Sequence, residues 1–305
     1  MILICMRLPV IRLLLLKIRK SLSERLKIIG GRCMNLFSMF QYTFLLRAFI
    51  VGLLITLAAS LLGVSLVLRR NAMISDGLSH VSFGAFAIAT VANIAPIQFA
   101  IPVAIVASVL ILKLNENNKL HGDGAIALLS SSALAIGIMV ISVTKGINTD
   151  VNNYLFGSIL SLSTNDVIVS VVLSLVVVLL FIFSYNKIFA LTFDQSFAKS
   201  TGTNVELYNI ILAILCSITI VLGMRMMGAL LISALTIFPT LTTMQVYKSF
   251  KQVVIASSIV GMICFVIGLS ISYLYATPSG ASIVIVNLVA FILFKLISLF
   301  KQAKY

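Results

Sequence analysis

The sequence predicts an all-α, polytopic helical membrane protein with about eight to nine transmembrane helices, and three observations carry that prediction. Of its 305 residues, 61% are hydrophobic and only 10% are charged, where an average soluble domain carries roughly 25% charged residues. Mean hydropathy is +1.18, and apolar runs recur from residue 45 to residue 300. That is more apolar surface than one soluble core can hide. The stretch from Val167 to Phe183 is apolar at nearly every position, whereas a transmembrane barrel would alternate apolar with polar side chains, so the spans are helices.

Windows of about 20 apolar residues fall at 45–68, 77–94, 97–114, 123–144, 166–185, 206–223, 227–246, 252–275 and 279–300. The second, third and seventh are short or interrupted by Gly and Pro, so eight full spans plus one partial helix fit as well as nine. Basic residues mark alternate loops: Arg69 and Arg70, Lys113 and Lys119, Lys187 and Lys199, Lys248 and Lys251, then Lys301 and Lys304. Those loops are cytoplasmic. The intervening loops hold only Lys145 and Arg225, so nine spans place the C-terminal end inside and residue 44 outside.

Residues 1–40 form a basic N-terminal segment that stands apart from the transmembrane region at 41–305, and its charge conflicts with that topology. Residues 1–33 contain Arg7, Arg12, Lys17, Arg19, Lys20, Arg25, Lys27 and Arg32 against the single acid Glu24. Such a segment resists translocation. The run Leu13 to Leu16 is too short for a signal peptide, and no small-residue cleavage site follows it. A basic amphipathic helix on the membrane surface, a first span that does not cross, or initiation at Met34 with residues 1–33 untranslated would each remove the conflict.

The net charge of +14 reflects this topology and not nucleic-acid binding, because no aromatic-interleaved basic patch accompanies it. Cys5, Cys33, Cys216 and Cys264 are far apart and form no CxxC pair, which makes them packing residues. The sequence lacks a GxxxxGK[ST] phosphate loop, GxSxG and HExxH, and it has only two histidines. Energy for any active transport must therefore come from another chain, and general acid–base catalysis has few groups to work with.

Ionisable residues inside a membrane are costly, on the order of 2.5 to 3.5 kcal/mol each, and so are functional candidates. Within Ser75-Asp76-Gly77-Leu78-Ser79-His80, Asp76 and His80 lie four residues apart and share a helical face if the helix begins near Ser75. A carboxylate beside an imidazole suits a borderline divalent cation such as Zn2+, Mn2+ or Fe2+. The competing reading is an Asp76 helix cap and a locally hydrogen-bonded His80. Ser82, Gly84, Ala85 and Ala87 follow, small enough for close helix approach. His121 and Asp123 sit at the cytoplasmic mouth of the fourth span, as a pathway gate or as solvated capping residues. In the longest cytoplasmic loop, Asp194 starts and Gly202 stops a short amphipathic helix whose Phe193, Phe197 and Ala198 share one face. That face suits either a soluble partner or the membrane surface.

These residues resemble the permease subunits of ABC importers for zinc, manganese and iron. Leu68-Arg69-Arg70, the Ser75 to His80 block and Gly84 look like that family's signature. Three more blocks match in order: Phe193 to Gly202, Met227-Gly228 through Ser233 to Pro239, and Thr277-Pro278-Ser279-Gly280-Ala281. The likeness covers residues 40 to 300 and extends more distantly to metal-chelate and cobalamin permeases. Thr240-Leu241-Thr242-Thr243 departs from the Ala-rich sequence usual after the proline, and residues 1–33 have no counterpart.

The resemblance implies a type II importer permease, multi-pass in the plasma membrane of a prokaryote. It further implies a homodimer, two ATP-binding subunits beneath it and an extracellular metal-binding protein. No permanently bound cofactor and no nucleic acid are implied, and the divalent metal is the transported substrate. Asp76 and His80 would be pathway ligands, and Asp194 to Gly202 the coupling helix received by the ATPase. A secondary transporter or channel for a cation is the alternative, which internal repeats between 45–165 and 166–300 would favour.

Overall fold

The computed structural model describes residues 43–116, 122–144 and 164–302. The N-terminal segment, its proposed start at Met34 and His121 lie outside them. Eleven helices are described: α1 (Thr43–Leu68), α2 (Met73–Val91), α3 (Pro96–Glu116), α4 (Gly122–Val143), α5 (Thr164–Phe183), α6 (Tyr185–Phe193), α7 (Gln195–Ser200), α8 (Val205–Met227), α9 (Ala229–Met244), α10 (Phe250–Tyr275) and α11 (Ser279–Gln302). No strand occurs among the described residues. Among the described residues, eight helices are long and apolar enough to cross a membrane, and α9 is a shorter apolar one. At 1.5 Å per residue, the 16 residues of α9 span about 24 Å, less than the roughly 30 Å of a hydrocarbon core.

Residues 44–305 form one compact unit whose interior is built on α1, α2 and α8, each 72% buried over its apolar window, while α4 and α11 are only 11% buried. Apolar side chains left exposed on helices of this length are what a lipid-facing surface requires. Glycine contacts fix helix directions. A Cβ on Gly77 would meet Ile126 and one on Gly84 would come within 2.6 Å of the Ala133 carbonyl, so α2 and α4 run parallel. Likewise Gly52 lies against Met227 and Gly63 against Thr236, so α1 and α9 run parallel.

The start of α9 is thus level with Gly52, nine residues into α1 and about 13 Å from that helix's outer end. Non-helical backbone at such depth is tolerated only inside protein. Gly228, which joins α8 to α9, is buried and has φ 88 and ψ 159, a backbone conformation essentially reserved for glycine. Pro239 interrupts α9 from within, and the threonines behind it cap its own turns. Thr243 Oγ1 donates to the carbonyls of Pro239 and Thr240, and Thr242 Oγ1 to that of Phe238. Thr242 and Thr243 accordingly pack as buried, self-satisfied side chains, whereas Thr240 Oγ1 is buried without a hydrogen-bond partner. Cys216 and Cys264 are buried and free.

A Cβ at Gly63 would overlap the backbone carbonyl of Thr236, which no rotamer change relieves. Gly63→Ala is therefore expected to destabilise the protein by about 1–3 kcal/mol or more, whereas Gly124→Ala, with open space around it, should gain up to about 1 kcal/mol of helix propensity. Thermal unfolding in detergent measures both; equal midpoints would contradict the α1–α9 contact.

Candidate metal-binding site

The second apolar window begins at residue 77, but α2 begins at Met73, so Asp76 lies inside the first helical turn and His80 one turn further on. The helix starts early because the basic turn before it is tightly bonded. Arg69 N–H donates to the Ser65 carbonyl and Asn71 N–H to that of Leu66, and Arg70 takes φ 59. Asp76 caps nothing: Ala72 is the N-cap residue and contributes no side-chain bond. The capping alternative for Asp76 does not describe this chain.

The carboxylate instead faces two groups. His80 Nε2 lies 3.7 Å from Asp76 Oδ2, and Ser233 Oγ of α9 donates to Asp76 Oδ1 at 3.2 Å. One residue back, Ser75 Oγ donates to Thr236 Oγ1 at 3.3 Å. Ser79 Oγ donates to the Asp76 backbone carbonyl at 2.7 Å. The contacts of Ser233 and Thr236 fasten the first turn of α2 to α9. The Asp76 side chain is half exposed and that of His80 one quarter exposed, while His80 Nδ1 is buried without a hydrogen-bond partner.

Asp76 and Ser233 open on a cavity of about 510 Å3 whose walls include Met73, Met227, Leu230 and Gly280. Its lining is otherwise apolar, so a charge entering it is poorly screened and strongly attracted by the carboxylate. Gly280, which the sequence placed in a structural turn, lines this cavity, and the Pro278 carbonyl accepts from Ser282 N–H at the start of α11. Gly84 faces α4. Asp123 is exposed in the first turn of α4 and does not line the cavity. No group of three or more His, Cys, Asp and Glu side chains occurs among the described residues. One chain offers two ionisable ligands at this place, where tetrahedral zinc takes four.

The loop motif divides at Asp194. Its Oδ1 accepts from Ser196 N–H at 2.8 Å and Phe197 N–H at 3.0 Å, capping α7, and Gly202 closes the motif at φ 78. The single apolar face expected of Phe193, Phe197 and Ala198 is not formed. Phe193 ends the preceding α6, its ring tilted against Phe189 at 5.1 Å and edge-on to Phe250 at 5.9 Å, and is itself 60% exposed. Ala198 is fully buried against the chain's own body, and Phe197 is 60% exposed. The extended backbone of Asp194, φ −150 and ψ 105, breaks the helix and rotates the two halves apart.

Sequence reasoning missed Ser233 and Thr236, whose only signal is their three-residue spacing in a segment bounded by Gly228 and Pro239. It also missed two contacts at the opposite end of the bundle, Arg225 with Asp166 at 3.9 Å and Arg47 Nη1 donating to Thr164 Oγ1 at 3.2 Å.

A family model described as "ABC 3 transport family" matches residues 41–298. The manganese import system permease protein ScaB of Streptococcus gordonii is 31% identical over 252 residues, covering 83% of this chain and 90% of that protein. The high-affinity zinc uptake system membrane protein ZnuB of Haemophilus influenzae is 27% identical over 264 residues, covering 87% and 100% respectively. The solved structure of PsaBC from Streptococcus pneumoniae in complex with Fab superposes with a TM-score of 0.76 at 28% identity, over 85% of this chain and 94% of that one.

Proposed function

The chain belongs to the ABC 3 transport family, and from that membership we propose how it works as the permease subunit of an ABC importer of divalent transition metal ions. It is a multi-pass protein of the plasma membrane. Asp76 and His80 bind the ion in passage. The observation that carries this assignment is the 3.7 Å approach of His80 Nε2 to Asp76 Oδ2 beside an otherwise apolar cavity. An imidazole and a carboxylate with a weak mutual contact are available as ligands for a borderline ion, and the apolar walls leave the ion few other partners.

Two ligands per chain leave the coordination shell half filled, so a homodimer that brings two copies of Asp76 and His80 to a shared pathway supplies four. ATP hydrolysis belongs to a separate chain, since no phosphate-binding loop is present. The helix α7, capped by Asp194, is the coupling helix received by that ATPase, with Phe197 as its exposed apolar contact. An extracellular metal-binding protein delivers the ion at the opposite face. Asp123 stands at the cytoplasmic mouth as an exit residue.

Reconstitution tests the reading. Proteoliposomes holding this chain with its ATPase are expected to accumulate Zn2+ or Mn2+ only when ATP is supplied. Liposomes holding the chain alone should accumulate neither ion under a proton or sodium gradient. Gradient-driven uptake by the chain alone would make it a secondary carrier and end the importer reading.

A further inference from the structure

We propose that Ser233 is a specificity-determining positioning residue: by holding one oxygen of Asp76, it presents the carboxylate to the ion through the other oxygen alone and so biases the pathway toward small, low-coordination ions. The inference rests on Asp76 and His80 being the metal ligands. It adds a residue on a different helix and a reason for selectivity.

The two carboxylate oxygens of Asp76 have different neighbours. Oδ1 accepts from Ser233 Oγ at 3.2 Å, whereas Oδ2 faces His80 Nε2 at 3.7 Å. The oxygen on the histidine side is the one placed to share an ion with the imidazole. The serine hydroxyl has one proton and two acceptors within reach, Asp76 Oδ1 and the Ala229 carbonyl at 2.9 Å. A charged carboxylate is the stronger acceptor, so the proton is available to Oδ1 whenever Asp76 is ionised.

Ser233 is itself held in place. It lies five residues after the buried turn at Gly228 and six before Pro239. Thr236, one turn on, bonds Ser75, and its carbonyl packs directly on Gly63 of α1. Ser233 is 8% exposed, so its hydroxyl has little freedom to turn elsewhere.

A carboxylate restrained to one oxygen suits Zn2+, which is satisfied by four ligands. Mn2+ and Ca2+ prefer six or more oxygen ligands and gain from a carboxylate that can turn and bind through both. Removing the hydroxyl frees Oδ1 and should relax the preference. Ligand-orienting partners of this kind are typically worth about 10- to 100-fold in metal affinity.

The test uses the complete complex with its ATPase in proteoliposomes, comparing uptake of radioactive Zn2+ and Mn2+ presented as free ions. Ser233→Ala should raise the KM for Zn2+ and lower the Zn2+:Mn2+ ratio of kcat/KM by about tenfold. Ser233→Val, which lacks the hydroxyl and is no metal ligand, should move the ratio the same way if the alanine variant fails to fold. Ser233→Thr keeps the hydroxyl and should keep the ratio. Thr242→Val removes a hydroxyl that bonds within α9, to the Phe238 carbonyl, and should leave the ratio unchanged. A ratio unmoved by Ser233→Ala, or moved equally by Thr242→Val, overturns the proposal while leaving the ligand assignment intact if Asp76→Asn is inactive toward both ions. Normal uptake by Asp76→Asn would remove the ligand assignment, and this inference with it.

Discussion

Asp76→Asn and His80→Ala are each expected to reduce metal uptake by about 100-fold or more, since outer partners of ligands alone are worth 10- to 100-fold and these are the ligands themselves. Folding should not suffer. The Asp76–His80 contact is long and the carboxylate half exposed, so its loss costs at most a few tenths of a kcal/mol to about 1 kcal/mol. An asparagine amide oxygen can still accept from Ser233 Oγ, so Asp76→Asn should be about as stable as the parent chain. His80→Gln preserves most of the side-chain volume and replaces an imidazole by an amide, a poor zinc ligand, and should be nearly as inactive as His80→Ala. Uptake assays paired with detergent unfolding midpoints separate the two effects. Parental uptake in both single variants would sink the assignment.

The apolar spans were legible in the sequence because lipid leaves the chain so few solutions: backbone groups must bond within the segment, and that demand produces long runs no soluble fold would tolerate. Of the three spans read as short or interrupted, the structure shortens 227–246 to α9, and Gly228 and Pro239 account for both of its irregularities. Glycine is required where φ is 88, and proline removes one backbone donor from the middle of the helix.

The site was half legible. Spacing alone placed Asp76 and His80 on one face, because the helical period does that for any residues four apart. Ser233 lies 157 residues from Asp76 in the chain, and no local period connects them. Their meeting depends on α9 starting deep within the bundle, which follows from tertiary packing of Gly52, Gly63 and Gly223 and has no signature in a hydropathy window. The loop motif shows the converse failure. Phe193, Phe197 and Ala198 lie at helical spacing, but Asp194 serves as the cap of a new helix, and a cap residue adopts extended backbone by necessity. The aspartate that signals the start of the motif is the same residue that breaks the expected face.

That break sets the two aromatics on separate helices, each 60% exposed: Phe197 stands free on α7, while the ring of Phe193 also touches Phe189 and Phe250. Burying an exposed phenylalanine in a partner's groove contributes about 1.5–3 kcal/mol, so Phe197→Ser should weaken assembly with the ATPase by roughly 10- to 100-fold with little change in the stability of the permease alone. Phe193→Ser should in addition loosen α6 from α10 and lower the unfolding midpoint, because its ring packs on Phe250 while remaining as exposed to a partner as Phe197. Asp194→Ala removes the acceptor for the Ser196 and Phe197 N–H groups and costs about 0.5–2 kcal/mol of helix stability, which should appear as intermediate assembly. Copurification of the two chains, together with metal transported per ATP hydrolysed, measures all three. If Phe197→Ser assembles and pumps as the parent does, α7 is a membrane-surface element, and the coupling contact must lie on another cytoplasmic segment.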